Sequence, residues 1–151
     1  MIYIKILISI CIILLTSIAG KIKGNKYKKR ELILLDVKKL LKRIRIEINY
    51  TENKIKNIIE DSIIDLDKEL KENIYNIESI KNINEKDKKI INEYLEKAGK
   101  RDLESENALL NQIEQEIEIQ IDAAKEEKNT NLKLYEKLGA LVGTLIVITI
   151  I

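Results

Sequence analysis

At 151 residues, with 27 Lys+Arg against 25 Asp+Glu, the chain is close to neutral, and it contains no His, Pro, Trp or Phe. Without histidine, imidazole general-base catalysis and imidazole metal ligation are excluded. The single cysteine, Cys11, excludes an intrachain disulfide and leaves everything outside its own apolar run without thiolate chemistry or a zinc-cysteine site.

Met1 to Gly20 carries one charge, Lys5, and residues 21–30, KIKGNKYKKR, then carry six basic residues and no acid. An apolar run of this length ending in Ser17-Ile18-Ala19 fits a cleaved secretory signal. The basic cluster fits an uncleaved membrane helix whose inner flank stays cytoplasmic, and we adopt that reading. Ile10 precedes Cys11 where a lipoprotein signal needs a small residue, so Cys11 is read as a lipid-facing or packing residue.

Residues 31–137 hold all 25 acids and 20 of the 27 bases, hence five net negative charges. An acidic body argues against nucleic acid, which is bound through clustered cations. Gly99 is the only glycine between residues 25 and 138, and helix is the expectation throughout. Val37, Leu40, Leu41, Ile44 and Ile48 recur at three- and four-residue spacing, one apolar stripe on an amphipathic helix. Ile55, Ile58, Ile59, Ile63, Leu66, Leu70, Ile74 and Ile77 continue the period, with Asn53 a candidate cap. A turn is expected near Asp61-Ser62 or within residues 76–84. After Asn84 a short helix follows, with Glu85 and Asp87 in its first turn, Lys97 in its last and Gly99 as the break beyond it. Asp102 can cap a final long helix through Leu103, Leu110, Ile113, Ile117, Ile121 and Ala124, which continues unbroken past residues 125–131. Leu103, Leu110, Ile117 and Ala124 keep a seven-residue step. A coiled coil would also need apolar partner positions, and Glu106, Gln120 and Glu127 are polar, so a bundle core is the expected use.

From Leu138 fourteen residues run without a charge. They include Gly139 and Gly143, two side-chain-free positions one turn apart, a face on which another helix can approach closely in lipid. At ~1.5 Å per residue the run spans roughly 21 Å, short of the ~30 Å hydrocarbon core, so a buried core helix competes with a membrane segment. Tyr135 and Lys137 at the expected interface, and the apolar stretch at the other end, favour the membrane. Lys125, Lys128, Lys133 and Lys137 precede the run, so both inner flanks are expected to be cytoplasmic and both termini to point outward, with Tyr3, Tyr27 and Tyr135 near the membrane edges. The expected organisation is a transmembrane helix over 1–20, a basic collar over 21–30, an all-α antiparallel helix bundle over 31–137 and a second transmembrane helix over 138–151. The collar can also touch anionic lipid headgroups. Carboxylate pairs such as Asp65/Asp67 and Glu114/Glu118 are spaced like solvated helix faces, and there is no Gly-rich phosphate loop. No catalytic, cofactor or metal site and no small-molecule substrate is expected.

The C-terminal third resembles the stage III sporulation protein AB family. The likeness is carried by Asp87 in NINEKDKKIINEYLEKAGKRD, the turn Gly99-Lys100-Arg101-Asp102, and the tail Leu138-Gly139-Ala140-Leu141-Val142-Gly143. Arg30-Glu31-Leu32 and Glu47-Ile48-Asn49-Tyr50 look like the family's first cytoplasmic helix. Lys54 stands where the family commonly has proline, and Glu106 where it has Gln. The resemblance implies a non-enzymatic membrane protein of the mother cell, anchored on the mother-cell side of the forespore septum or outer forespore membrane. It implies a place in a transenvelope, secretion-like complex joining mother cell and forespore. It further implies a cytoplasmic domain similar to that of type II secretion platform proteins, docking the stage III sporulation protein AA ATPase. Two other readings stand beside it: an unrelated membrane-anchored helical scaffold or adaptor, and a surface protein with a signal peptide and a tail anchor.

Overall fold

The computed structural model describes residues 2–50 and 55–150, so the candidate cap Asn53 and the departure at Lys54 lie outside the described residues. Among the described residues the protein is all-helical, without a strand. The elements are α1 (Ile2–Tyr50), α2 (Ile55–Ser62), α3 (Lys68–Asn73), α4 (Glu85–Lys97) and α5 (Leu103–Ile150), with one-turn 3-10 segments at Ile63–Asp65 and Ile77–Ser79. Nothing within α1 or α5 breaks a helix strongly, since proline is absent and glycine costs only ~1 kcal/mol per position. Each therefore runs through apolar and charged stretches alike, for 49 and 48 residues.

The chain divides into two units, Met1–Lys29 with Ala124–Ile151, and Arg30–Ala123. The polar stretch of α5 after Ala124 therefore groups with the apolar ends.

In the unit over residues 30–123, α1 and α5 run antiparallel. Lys38 pairs with Glu118, Arg45 Nη2 with Glu114 Oε2 at 3.0 Å, and Asn49 with Asn107 at 3.2 Å, so partner numbers fall as α1 advances. Ile33, Leu34, Leu41 and Ile44 of α1 and Leu110, Ile113 and Ile117 of α5 are almost wholly buried. Ile58, Leu70, Ile77, Ile80, Ile90 and Ile91 close the core from the intervening segments. Leu103, placed on the stripe by its spacing, is 51% exposed because it occupies the first position of α5, before the helix meets the core.

Carboxylates and amides hold the turns that lack Gly and Pro. Asp67 caps α3, its Oδ1 accepting from Glu69 N at 2.9 Å, while Asp67 N itself donates to Asp36 Oδ2 of α1 at 2.7 Å. Glu69 Oε1 accepts from Lys81 N at 2.8 Å and pins the descending loop. Such side-chain acceptors satisfy backbone donors that a helix end leaves open. The chain thus turns twice in the stretch where one turn was expected, after Ile63–Asp65 and again between Ile74 and Asn84.

In the other unit the two helices again run antiparallel, and the Tyr27 and Tyr135 rings stack with centroids 6.0 Å apart. Ile6, Leu7, Ile10, Leu14, Leu15 and Ile18 of α1, and Leu141, Leu145 and Ile148 of α5, are exposed. Among the described residues α1 is the one helix long and apolar enough to cross a membrane by length and composition.

Candidate functional site

Gly139 and Gly143 meet the chain's own N-terminal helix. A Cβ on Gly139 would lie 2.6 Å from the Thr16 carbonyl oxygen and 3.2 Å from Ser17 Cα, and one on Gly143 would strike the Thr16 hydroxyl. The facing helix answers in kind, because a Cβ on Gly20 would strike the Tyr135 carbonyl oxygen and sit 3.3 Å from Gly139 Cα. Glycines on both sides therefore let backbone touch backbone, the contact by which helices associate where lipid supplies no hydrophobic drive. Thr16 Oγ1 donates back to the Ile12 and Ile13 carbonyls at 3.0 Å, so this hydroxyl is bound to its own helix.

A second constellation lies in the core of the unit over residues 30–123. Arg30, Asp87 and Gln120, from α1, α4 and α5, are each at most 5% exposed. Arg30 Nε donates to Asp87 Oδ2 at 2.8 Å and Nη2 to Asp87 Oδ1 at 3.0 Å, a bidentate pair, with Gln120 Oε1 3.5 Å from Nη2. Asp87 also closes a capping box, its Oδ2 accepting from Asn84 N at 3.1 Å while Asn84 Oδ1 accepts from Asp87 N at 2.8 Å. One carboxylate thereby starts α4 and ties it to α1.

The third cluster surrounds the break between α4 and α5. Gly99 has φ +73°, the left-handed conformation that ends a helix, and its N–H donates to Glu106 Oε2 at 3.1 Å. Asp102 caps α5, accepting from Ser105 N at 2.9 Å and from Ser105 Oγ at 2.8 Å. These bonds from Ser105 hold the Asp102 carboxyl below its usual pKa. The Cβ of an alanine at position 99 would make only ordinary contact with Ile55, 3.7 Å away. The cost of Gly99→Ala is then the backbone conformation alone, about 1–2 kcal/mol in a urea unfolding curve. An unchanged midpoint would mean the turn relaxes to negative φ.

Tyr94 packs behind this turn, 2% exposed, beside the buried Glu106. Burial first, then the Glu106 carboxylate, push its hydroxyl well above the ordinary tyrosine pKa of about 10. The folded chain holds that proton more tightly than the unfolded chain does. Its contribution to stability is full below about pH 10 and is lost as the pH rises further. Alkaline unfolding followed by circular dichroism should begin above about pH 10, and Tyr94→Phe should move the onset upward. Coincident onsets for parent and variant would acquit Tyr94.

Asp87 and Arg30 thus form the buried ion pair, Gly99 and Asp102 the α4–α5 break, and Gly139 and Gly143 the glycine seam, and these are also the residues that carried the family likeness. The model of the stage III sporulation protein AB family matches residues 5–79 and 60–151. The chain belongs to that family. No curated protein and no solved structure matches it. Membership of the stage III sporulation protein AB family assigns the chain to stage III of sporulation. The departure at Glu106 does not empty the position, since its carboxylate is buried and receives the Gly99 N–H.

Sequence reasoning missed the Arg30–Asp87–Gln120 cluster as a unit. By sequence alone Asp87 is a first-turn acid and Gln120 a polar residue that disfavours a coiled coil. The signal was register. Arg30 precedes Ile33, Leu34 and Val37, and Asp87 precedes Ile90, Ile91 and Tyr94, both by three, four and seven residues. Each charge therefore sits on a core stripe, and the two have opposite signs.

Proposed function

We propose that this protein is a non-enzymatic membrane component of the transenvelope complex joining mother cell and forespore, and that its cytoplasmic helical unit docks the partner ATPase, stage III sporulation protein AA. The observation that carries this reading is the family match over residues 5–151. The buried polar residues support a non-enzymatic role: Arg30, Asp87 and Gln120 are consumed by one another and by a helix cap, within a closed core. On this reading the glycine seam joins two transmembrane helices, both termini point outward, and the helical unit is a small antiparallel bundle on the mother-cell side. The family's likeness to type II secretion platform proteins supplies the ATPase as partner, docked on the cytoplasmic bundle.

Deletion in a spore-forming host tests the role. Normal vegetative growth with arrest after engulfment is the expected result, and normal yields of heat-resistant spores would overturn it. Cysteine labelling at Glu60 in intact cells should fail until the membrane is permeabilised; labelling from outside would put the body on the wrong side. Copurification of the ATPase with the full chain then tests docking.

A further inference from the structure

The unit made of residues 1–29 and 124–151 carries ten bases against three acids, whereas residues 30–123 carry 17 against 22. Of those ten, Lys21, Lys23, Lys26, Lys28, Lys133 and Lys137 are exposed and form no ion pair among the described residues. Register spreads the first four around α1. At 3.6 residues per turn, Lys21 and Lys28 stand to one side of the Gly20–Gly24 line, Lys23 to the other and Lys26 toward its back. Gly24 packs on Leu132, and Gly20 on Tyr135 and Gly139, which puts Lys133 about level with Lys23 and Lys137 about level with Gly20. Between Lys128 and Lys137 the only acid of α5 is Glu136. The exposed apolar surface of Leu14, Leu15, Ile18 and Ile22 runs straight into this belt of cations.

We propose that these six lysines form a belt that binds the headgroups of anionic phospholipids; the step rests on the membrane anchoring proposed above. Position selects the occupant. Lys21 to Lys28 spans about 10.5 Å along α1, beginning at the first residue past the apolar run. The headgroup layer takes up roughly 5–7 Å on each side of the hydrocarbon core, and charges beyond it are screened over ~8 Å. Each cation therefore lies in the headgroup layer or within one screening length of it, where lipid is the neighbour all round. Lysine suits such a place, because its aliphatic stem lies along apolar surface while the ammonium reaches the headgroup. Cations set around the helices, and not in one cleft, make a shell of lipid the ligand. Basic flanks fix orientation during insertion; this belt goes further and enriches acidic lipid around the inserted protein.

The chain has no tryptophan, so Ile18→Trp, at a position 53% exposed, supplies a single reporter of neighbouring lipid. The full chain is reconstituted into phosphatidylcholine–phosphatidylglycerol bilayers in which one lipid or the other is brominated. At equal mole fractions, brominated phosphatidylglycerol should quench the tryptophan as though bound about threefold more tightly than phosphatidylcholine, or better. The preference should fall toward unity in about 1 M KCl, and again when all six lysines carry Lys→Gln. Equal quenching by the two lipids overturns the proposal and leaves an acidic protein segment as the counter-charge. A preference that survives the six substitutions overturns it as well, by placing the selectivity elsewhere. Emission in unbrominated bilayers separates the two readings. A blue-shifted tryptophan with equal quenching counts against the belt alone; an unshifted one means the apolar helices are not in the bilayer, and the anchoring falls with the belt.

Discussion

Asp87→Ala should destabilise the helical unit by about 3–5 kcal/mol, because it takes from a buried guanidinium the carboxylate that bonds it at two points. Asp87 is wholly buried and Arg30 nearly so, and the neutral acceptor Gln120 Oε1 sits 3.5 Å from the guanidinium. The same substitution also removes the acceptor for Asn84 N and so loosens the start of α4. Arg30→Lys is not a conservative alternative, since an ammonium cannot bond both carboxylate oxygens in the planar fork that Arg30 uses. Replacing both partners, as Arg30→Met with Asp87→Leu, should cost far less than either single change, because no stranded charge remains. As a hypothesis, the pair sets register. A core made almost wholly of Ile and Leu offers several neighbouring alignments of α4 on α1, and only one of them brings Arg30 to Asp87. The apolar double variant should then keep its urea midpoint while losing dispersion in its amide NMR spectrum. Urea unfolding of the full chain in detergent, followed by circular dichroism, measures the single variants. A midpoint for Asp87→Ala that stays within error of the parent would show the site opens to water easily.

How much of this could be read from the residues depended on which rule each feature obeys. The α1 and α5 core faces were legible because Leu and Ile at three- and four-residue spacing admit one amphipathic solution. Gly99 and Asp102 were legible because a lone glycine followed by an Asp before an apolar run is a stop and a start in plain chemistry. The turns between residues 63 and 84 were not. They are built by Asp67 and Glu69 accepting from backbone N–H groups, and those acids look like any solvated acid until the chain folds back on them. Gly139 and Gly143 announced a close approach but not its partner, since an intramolecular helix and a second protein offer such a face the same surface. Gly20 was the missing half of that statement, read as the end of an apolar run when it is also the facing side of the seam.

Gly139→Leu with Gly143→Leu should separate the two apolar helices. In the parent, Gly143 lies against the Thr16 side chain and Gly139 against the Thr16 carbonyl, so every atom of a leucine beyond Cα has to be accommodated by moving a helix. The Thr16 hydroxyl cannot simply swing aside, because it is held to its own helix by the Ile12 and Ile13 carbonyls. Backbone at position 16 cannot move without α1. Ordinary helix pairs sit 8–10 Å apart, and two leucines one turn apart would force at least that spacing, with overpacking typically costing about 1–3 kcal/mol per site. Spin labels at Lys21 and Lys133, both exposed, report the spacing by pulsed dipolar spectroscopy in the full chain. The parent should give one narrow distance distribution, Gly→Ala at both positions a broader one, and the leucine pair a longer and wider one. The helical unit lies outside the seam, so its urea midpoint should not move, which separates lost packing from general misfolding. An unchanged label distance in the leucine variant would show that the two helices do not rely on the glycines to meet. The same variant bears on sporulation: if the seam holds the anchor together, it should fail to restore spores to a deletion strain although the protein accumulates to parental levels.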